Sequence, residues 1–519
     1  MPVPVTINDL STVAATNFPL GSDFPHGIDD TLRAHAQFVA ELRDSRALQQ
    51  TEYVHVDNFG AVGGGVVNDT AAFAAAAASF GVLGGTIHFS KIHLIDSNLT
   101  LPDNVVICGP TLRVGSTGTS TTAPFANMAG LVVNSAVTIK IGAGAGLIGC
   151  LLRRKGMTFP AADSSAFAGT AVTVDGHDAF VDGCIILGFE RAVLSNGFQR
   201  FRAENTLVDC LNGFRIENSL DIPHITGCHC WPFATIFSFG PASSLHRSGI
   251  AYHLLNTVDW GMLTNNFSYG YLVGFKNENC NSVTYLACGA DGTAAYANST
   301  GFLDYGSSQE VAFVGCRAAG QDAGIVVNID IGARAFVNGC EAWGNTAGPS
   351  TINIAVNSGD LFVVGGMTRG GFHGVLVNNA TSRVFVDDVC FNDHSLAPIY
   401  ANVATTTVFI GDNDYGNYSA GNAPFQSSIS TSLPSVTAAD PLNLPANGKS
   451  YTVTGNTNFG TINGGYAGRR ITLDFAGTPT LFHGGGAPGG MKMKSGSNFA
   501  ASSTTSISFL HNGSVWKED

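Results

Sequence analysis

The 519-residue sequence predicts an all-β chain wound as a parallel β-helix. Composition is the first reason: 64 glycines, 12% charged and 10% aromatic residues describe many tight turns joining short strands. The second is a run of short apolar segments closing on cysteine. They read "AFVDGC" to Cys184, "TLVDC" to Cys210, "HITGC" to Cys228, "TYLAC" to Cys288, "AFVGC" to Cys316, "AFVNGC" to Cys340 and "VFVDDVC" to Cys390. Phe313, Phe336, Phe362 and Phe385 mark one place in this repeat, at steps of 23, 26 and 23 residues. The third is a second strand closing on asparagine: "AVLSN", "FRIEN", "YHLLN", "VGFKN", "GIVVN" and "GVLVN", ending at Asn196, Asn218, Asn256, Asn277, Asn328 and Asn378. Self-similarity at this period defines a solenoid, whose units bury their faces only by stacking. No leucine pattern suits a leucine-rich repeat, and no helical run suits an ankyrin array. The cysteines are then small hydrophobes stacked inside the coil.

Bulk properties exclude several functions. The net charge of −13 argues against nucleic acid as a partner, because phosphate contacts need clustered Lys and Arg, and Arg153-Arg154-Lys155 is one short run. The alanine-rich run Ala71–Leu83 is too short and weakly apolar for a membrane span, and "MPVPVTINDLSTVAATNFPLG" has neither basic start nor apolar core for a secretory signal. Eleven cysteines, an odd number, argue against a complete disulfide framework. In "HITGCHC", His224, Cys228, His229 and Cys230 have zinc-like residue types. Cys228 already belongs to the interior column, so no metal and no cofactor is expected.

Residues 1–50 read as an extended start followed by a helix entered at Asp29-Asp30, with Leu32, Ala36, Val39 and Leu42 near helical spacing. "INDL", "GSD" and "DDTLRA" in that order resemble the N-terminal adaptor of phage tail fibres and tailspikes, which implies attachment to a tail or baseplate protein. Residues 51–420 form the solenoid. Its opening stretch "NFGAVGGGVVNDT" (Asn58 to Thr70), the alanine run, "GGTIHF" and "LPDNVVICG" resemble the first coil of the pectate-lyase-like β-helix superfamily. That resemblance implies a right-handed coil and a helix, capped by Asn68-Asp69-Thr70, closing its lower end. Asn58, Gly64 and Asn68 stand where that family usually has acids. Residues 421–445 read as a Ser/Thr/Ala/Pro linker. Residues 446–519 alternate in short strands ("KSYTVTG", "RRITLDFAG", "TSISFLHNGSVWKED") and predict a small β-sandwich-like domain, resembling tailspike C-terminal domains that trimerise or touch glycan.

The site is expected where a loop of about twenty residues replaces a short corner after Cys228, since a long loop on a rigid scaffold carries function. It holds Trp231, Phe233, Phe237, Phe239, His246 and Arg247, with Trp260, Tyr269 and Tyr271 following. Aromatic faces beside polar groups suit sugar rings. Alternation turns Arg215, Glu217, His253 and Lys276 outward on neighbouring coils, with Glu204 and Asp209 on the preceding turn and Asp259 beside Trp260. Cleavage of a glycan needs a carboxylic acid and a carboxylate, or a base beside a uronate with cations against its carboxylate. The first route nominates Glu217 and Asp259, with Glu204 in reserve and His253 as partner. The second keeps His253 and Lys276 as lyase residues. Arg215, Trp231, Arg247, Trp260, Tyr269, Tyr271 and Lys276 are the expected substrate contacts.

Together these features predict a phage tailspike, borne on the virion, that binds and depolymerises a bacterial surface polysaccharide. Sheets exposed along the solenoid predict a homotrimer. An adhesive tail fibre without activity, or a bacterial β-helix enzyme, are the rival readings.

Overall fold

A computed structural model describes residues 35–40, 53–110, 128–157, 164–232, 246–256, 258–292, 298–344, 351–403, 407–416, 425–427, 435–444, 450–486 and 488–519. Three parallel sheets of 14, 13 and 13 strands, each visited once per coil, run from Tyr53 to Ser427. Within a coil the chain makes a strand of the first sheet, turns sharply into the second, and then enters the third. A representative coil is Arg202–Glu204, Leu207–Asp209 and Asn212–Glu217. The adaptor motifs and Phe233, Phe237 and Phe239 lie outside the described residues. Among the described residues no helix is long and apolar enough to cross a membrane.

The glycine-rich opening is a carboxylate cradle. Gly63, Gly64 and Gly65 all take positive φ, which glycine adopts without steric cost. Asp69 Oδ1 accepts from the Val62 amide (2.8 Å), and Oδ2 accepts from Gly63 N–H (3.0 Å) and pairs with buried His93 Nδ1 (2.8 Å). The helix Thr70–Ala78 therefore has no side-chain cap from Asp69. Asn68 Oδ1 accepts instead from the Thr70 amide and hydroxyl and the Asp96 amide. Phe73, Ala72, Ala76 and Ala77 bury the inner face of the helix against the first coils.

The corner between the first and second sheets sets the register. Two residues separate the strands there, and the first adopts left-handed φ: Gly183, Asn205, Gly227, Asn265, Ala287, Gly315 and Gly339. The next residue points inward, giving the column Cys150, Cys184, Thr206, Cys228, Asn266, Cys288, Cys316 and Cys340. Three of these side chains accept from the backbone of the rung beneath. The Cys150 amide donates to Cys184 Sγ (3.4 Å), the Cys184 amide to Thr206 Oγ1 (3.3 Å), and the Cys228 amide to Asn266 Oδ1 (2.9 Å).

Two members expected in this column lie elsewhere. Cys210 closes a second-sheet strand and is buried at the following corner, and Cys390 starts a second-sheet strand and is half-exposed. The phenylalanines also divide. Phe313 lies three positions before its column cysteine and points inward, whereas Phe336 lies four before Cys340. Phe313 consequently pairs with Val337. Phe336, Phe362, Phe385 and Phe409 form a half-buried outer stack with centroids 5.3, 4.5 and 4.5 Å apart. A one-residue offset moves a side chain to the other face.

Nine cysteines are buried and free, and Cys108 and Cys390 are half-exposed. Burial pushes the Cys228 thiol up to about 12, removing the reactive thiolate at neutral pH. A thiol reagent should therefore label two cysteines quickly in the native protein and nine only on unfolding. Cys316→Ser should cost about 1–3 kcal/mol by burying a hydroxyl, read from denaturation midpoints. Rapid native labelling of most thiols would contradict the column.

Inside the third sheet, Phe214, Tyr252, Phe275 and Phe302 stack on successive coils with centroids 5.6, 4.6 and 4.7 Å apart. Beside them sits a polar patch. Asn277, expected at a corner, is buried, and the left-handed corner residue is Asn279. Asn277 Nδ2 donates to Asp304 Oδ1 and to Ser308 Oγ, both at 2.9 Å.

Burial pushes the Asp304 carboxyl up to about 7, against those hydrogen bonds. The folded state thus holds a proton that the unfolded chain releases near pH 4. The stability tied to that proton is complete below about pH 4 and is lost as pH rises to about 7. His229, His253 and His394, each lowered to about 4 with burial as the largest cause, act oppositely: their contribution is lost as pH falls from about 6.5 towards 4. Asp304→Asn should remove only the first component. The wild-type minus variant stability, from denaturation midpoints across pH 4–8, should fall steadily as pH rises to about 7. A pH-independent difference would contradict it.

The second compact unit spans Ser427–Asp519. Its main sheet is mixed: Ser435–Thr437, Ser450–Thr454 and Arg470–Phe475 run parallel, Ser506–His511 runs antiparallel to them, and Trp516–Glu518 with Met491–Lys492 complete it. Trp516, Tyr451, Phe509 and Phe459 fill its core. The stretch read as a linker carries strands: Phe425–Ser427 extends the solenoid's third sheet, while Ser435–Thr437 and Leu442–Asn443 belong to the second unit.

Candidate functional site

The outer face of the third sheet assembles a strip of charge over three coils, on strands Asn212–Glu217, Arg247–Leu255 and Tyr271–Glu278. Alternation turns every second side chain outward, and in-register pairing aligns Arg215 with His253 and Lys276, and Glu217 with Leu255 and Glu278. Adjacent rungs are about 4.8 Å apart. Arg215 Nη2 bonds Glu217 Oε2 at 2.9 Å. His253 Nε2 and Lys276 Nζ converge on Glu278 Oε2 at 3.0 and 2.6 Å. Lys276 Nζ also lies 5.3 Å from the Tyr305 ring centroid on the next coil.

Glu278 is the residue missed in the sequence. It sits two positions after Lys276, so the same alternation that turned Lys276 outward also turns it outward. Burial pushes its carboxyl up, but the Lys276 and His253 hydrogen bonds outweigh this and hold it below the usual glutamate value. Burial lowers His253 to about 4 despite the Glu278 contact, so its ring is neutral at pH 7. The ion pairs of Arg215, His253 and Lys276 end on the carboxylates of Glu217 and Glu278, leaving the strip close to electrically balanced.

At the corner between the third and first sheets, the Asp259 amide donates to Ser219 O (3.1 Å), two residues beyond Glu217 on the coil below. Glu217 and Asp259 therefore stand on neighbouring coils at one corner. Asp259 is half-buried, and its carboxylate makes no hydrogen bond or ion pair among the described residues. Trp260 follows with φ of 54° and 63% of its surface exposed, at the same corner as Leu220, 66% exposed. Left-handed φ is a strained choice for a bulky residue. Other coils put Asp178, Arg200, Ser282 and Glu310 in left-handed φ before their first-sheet strands. The corner imposes this conformation, and the exposed tryptophan is what the sequence adds.

Several expected contacts are not in this site. Arg247 is completely buried: its Nε and Nη2 donate to Asp209 Oδ1 at 3.2 and 2.6 Å, and its guanidinium lies over Phe167. Asp209 is equally buried. Tyr271 is buried too, its hydroxyl donating to Cys210 O at 2.8 Å. Neither Arg247 nor Tyr271 can meet a substrate. Glu204 is on the first sheet in register with Asp182, in a shallow cavity of about 210 Å³ with Phe180 and Arg202, and not beside Glu217.

Trp231 and Tyr269 lie at the far end of the third-sheet strands, where the second sheet passes into the third. Strand Arg247–Leu255 separates them from Trp260, a span of about 25 Å. There His229 stacks on Trp231 (5.2 Å, 16°) and meets the edge of Phe267 (4.7 Å). Burial pushes nearby Asp291 up to about 6. Cys228 and Cys230 point into the core while His229 between them faces outward, and no group of three metal-ligating side chains occurs among the described residues.

No protein-family model and no curated protein sequence matches the chain. Solved structures give distant likenesses. The A-module of Azotobacter vinelandii mannuronan C-5 epimerase AlgE6 is 13% identical with a TM-score of 0.40, covering 73% of this chain and 100% of that one. The Thermotoga maritima exopolygalacturonase is 9% identical with a TM-score of 0.42, covering 70% and 91%. The Dettilon tailspike protein is 12% identical with a TM-score of 0.47, covering 97% and 80%.

Proposed function

We propose that this chain is a phage tailspike that binds and depolymerises a bacterial surface polysaccharide, capsule or O-antigen, by glycosidic hydrolysis. The observation that carries this reading is the juxtaposition at one corner of Glu217, Asp259 and exposed Trp260, with His253, Lys276 and Glu278 on the adjoining rungs. Two carboxyl groups on neighbouring coils at one corner suit a general acid and base flanking a glycosidic bond, and the indole offers an apolar face for a sugar ring. The near-balanced charge of the strip fits a neutral glycan better than a polyuronate. Adaptor-like motifs at the N-terminus support attachment to a tail or baseplate protein, and so a place on the virion.

A polysaccharide lyase is the second reading, favoured by one feature: an unprotonated His253 stands beside the Lys276 cation, the residue types a base-and-cation site uses. The protein is read as a homotrimer, since assembly hides long sheet faces.

Incubation with purified capsule and O-antigen polysaccharides, followed by sizing of the products, tests the activity. Saturated oligosaccharides are expected. Unsaturated, ultraviolet-absorbing products would replace hydrolase by lyase, and binding without cleavage would leave an adhesive fibre. The same preparation weighed in solution should give three copies, and a monomer at micromolar concentration would end the trimer.

A further inference from the structure

The second sheet carries an outward column that the catalytic strip does not use. We propose that the column Trp231, Tyr269, Asp291, Ala319, Trp343, Arg369 and Asn392 is a binding track for one polysaccharide chain lying parallel to the solenoid axis. In-register pairing links Tyr269 to Asp291, then Ala319, Trp343, Arg369 and Asn392, and the pairing of Cys230 with Ser268 sets Trp231 beneath Tyr269. Six rung steps make a path of about 29 Å.

The chemistry along the path alternates as a sugar chain needs. Aromatic faces at Trp231, Tyr269 and Trp343 offer stacking surfaces for the C–H faces of pyranose rings. Asp291, Arg369 and Asn392 offer acceptors and donors for hydroxyls, and Ala319 leaves the path open between them. Trp343 is 42% exposed. Its flanks are the ion pairs Arg317–Glu341 (3.2 Å) and Arg369–Asp393 (3.1 Å). A second protein copy would want an apolar centre depleted of charge. One indole framed by two ion pairs offers an apolar face with polar edges, as a saccharide ring does.

This inference rests on the polysaccharide reading above, and the test separates the two. Wild type, Trp343→Ala, Trp343→Phe and Glu217→Gln are applied to an array of purified capsule and O-antigen polysaccharides. The glycans retained by wild type should be held about tenfold more weakly by Trp343→Ala, with retention largely restored by Trp343→Phe and thermal midpoints unchanged. If Trp343→Ala and Tyr269→Ala both retain glycans like wild type while Glu217→Gln loses turnover, the track is wrong and the polysaccharide reading stands. If wild type neither retains nor degrades any of the glycans, both fall.

Discussion

Glu217→Gln and Asp259→Asn should each lower polysaccharide turnover by at least about 10²-fold, the low end for general acid–base catalysis, while leaving folding and assembly unchanged. Both side chains are at least partly accessible and neither sits in the core, so an amide of the same shape disturbs no packing. Replacing Glu217 removes the carboxylate that accepts from Arg215 and Asn256. An amide there can neither take up nor release a proton. Turnover by sized product release, with the thermal midpoint as control, decides the matter. If both variants keep near-full activity while His253→Ala or Lys276→Ala abolishes it, elimination replaces hydrolysis. Trp260→Gly provides an independent check. Glycine removes the cost of a bulky residue in left-handed φ, so the midpoint should hold or rise while glycan binding weakens.

Asp209→Ala should destabilise the solenoid by about 3–5 kcal/mol, the usual cost of stranding one charge of a buried pair. Arg247 has no exposed surface and spends two donors on Asp209. Without that carboxylate the buried guanidinium loses the counter-charge at Oδ1 that both its Nε and Nη2 reach. Arg247 also opens strand Arg247–Leu255, so the loss should loosen the strand that carries His253. A paired replacement, Asp209→Leu with Arg247→Met, should recover much of the loss, because a well-packed apolar pair is often no worse than a buried ion pair. Urea denaturation of wild type and both variants measures this. A single variant that unfolds like wild type would show that the pair is not the anchor described.

The repeat was legible because its signals are local: a left-handed residue followed by a small buried side chain, as in Gly183-Cys184 and Gly315-Cys316. The outward set Arg215, Glu217, His253 and Lys276 followed from alternation alone. What stayed hidden depends on longer range. Nothing near Arg247 announces Asp209, 38 residues earlier and on a different sheet. A single extra residue before Cys340 sends Phe336 outward where Phe313 points in, and Thr206 and Asn266 fill cysteine positions by hydrogen bonding, so cysteine spacing alone misassigned Cys210 and Cys390. Trp260 looked like a neighbour of Trp231 because chain distance is short; a nine-residue strand carries them to opposite edges of the third sheet.

The contrast between corners bears on how such a chain diversifies. The two-residue corner into the second sheet repeats from Asp182–Ile185 to Asn338–Glu341, whereas the passage into the third runs from Cys230 to Arg247 in one coil and from Leu187 to Arg191 in another. One corner acts as a metronome for the winding, and the other takes up length without altering the phase of later rungs. Insertions and exchanges at that passage can change what the surface recognises while the core stays the same. Specificity is therefore free to drift coil by coil, and loop exchange between relatives should be cheaper there than anywhere else along the chain.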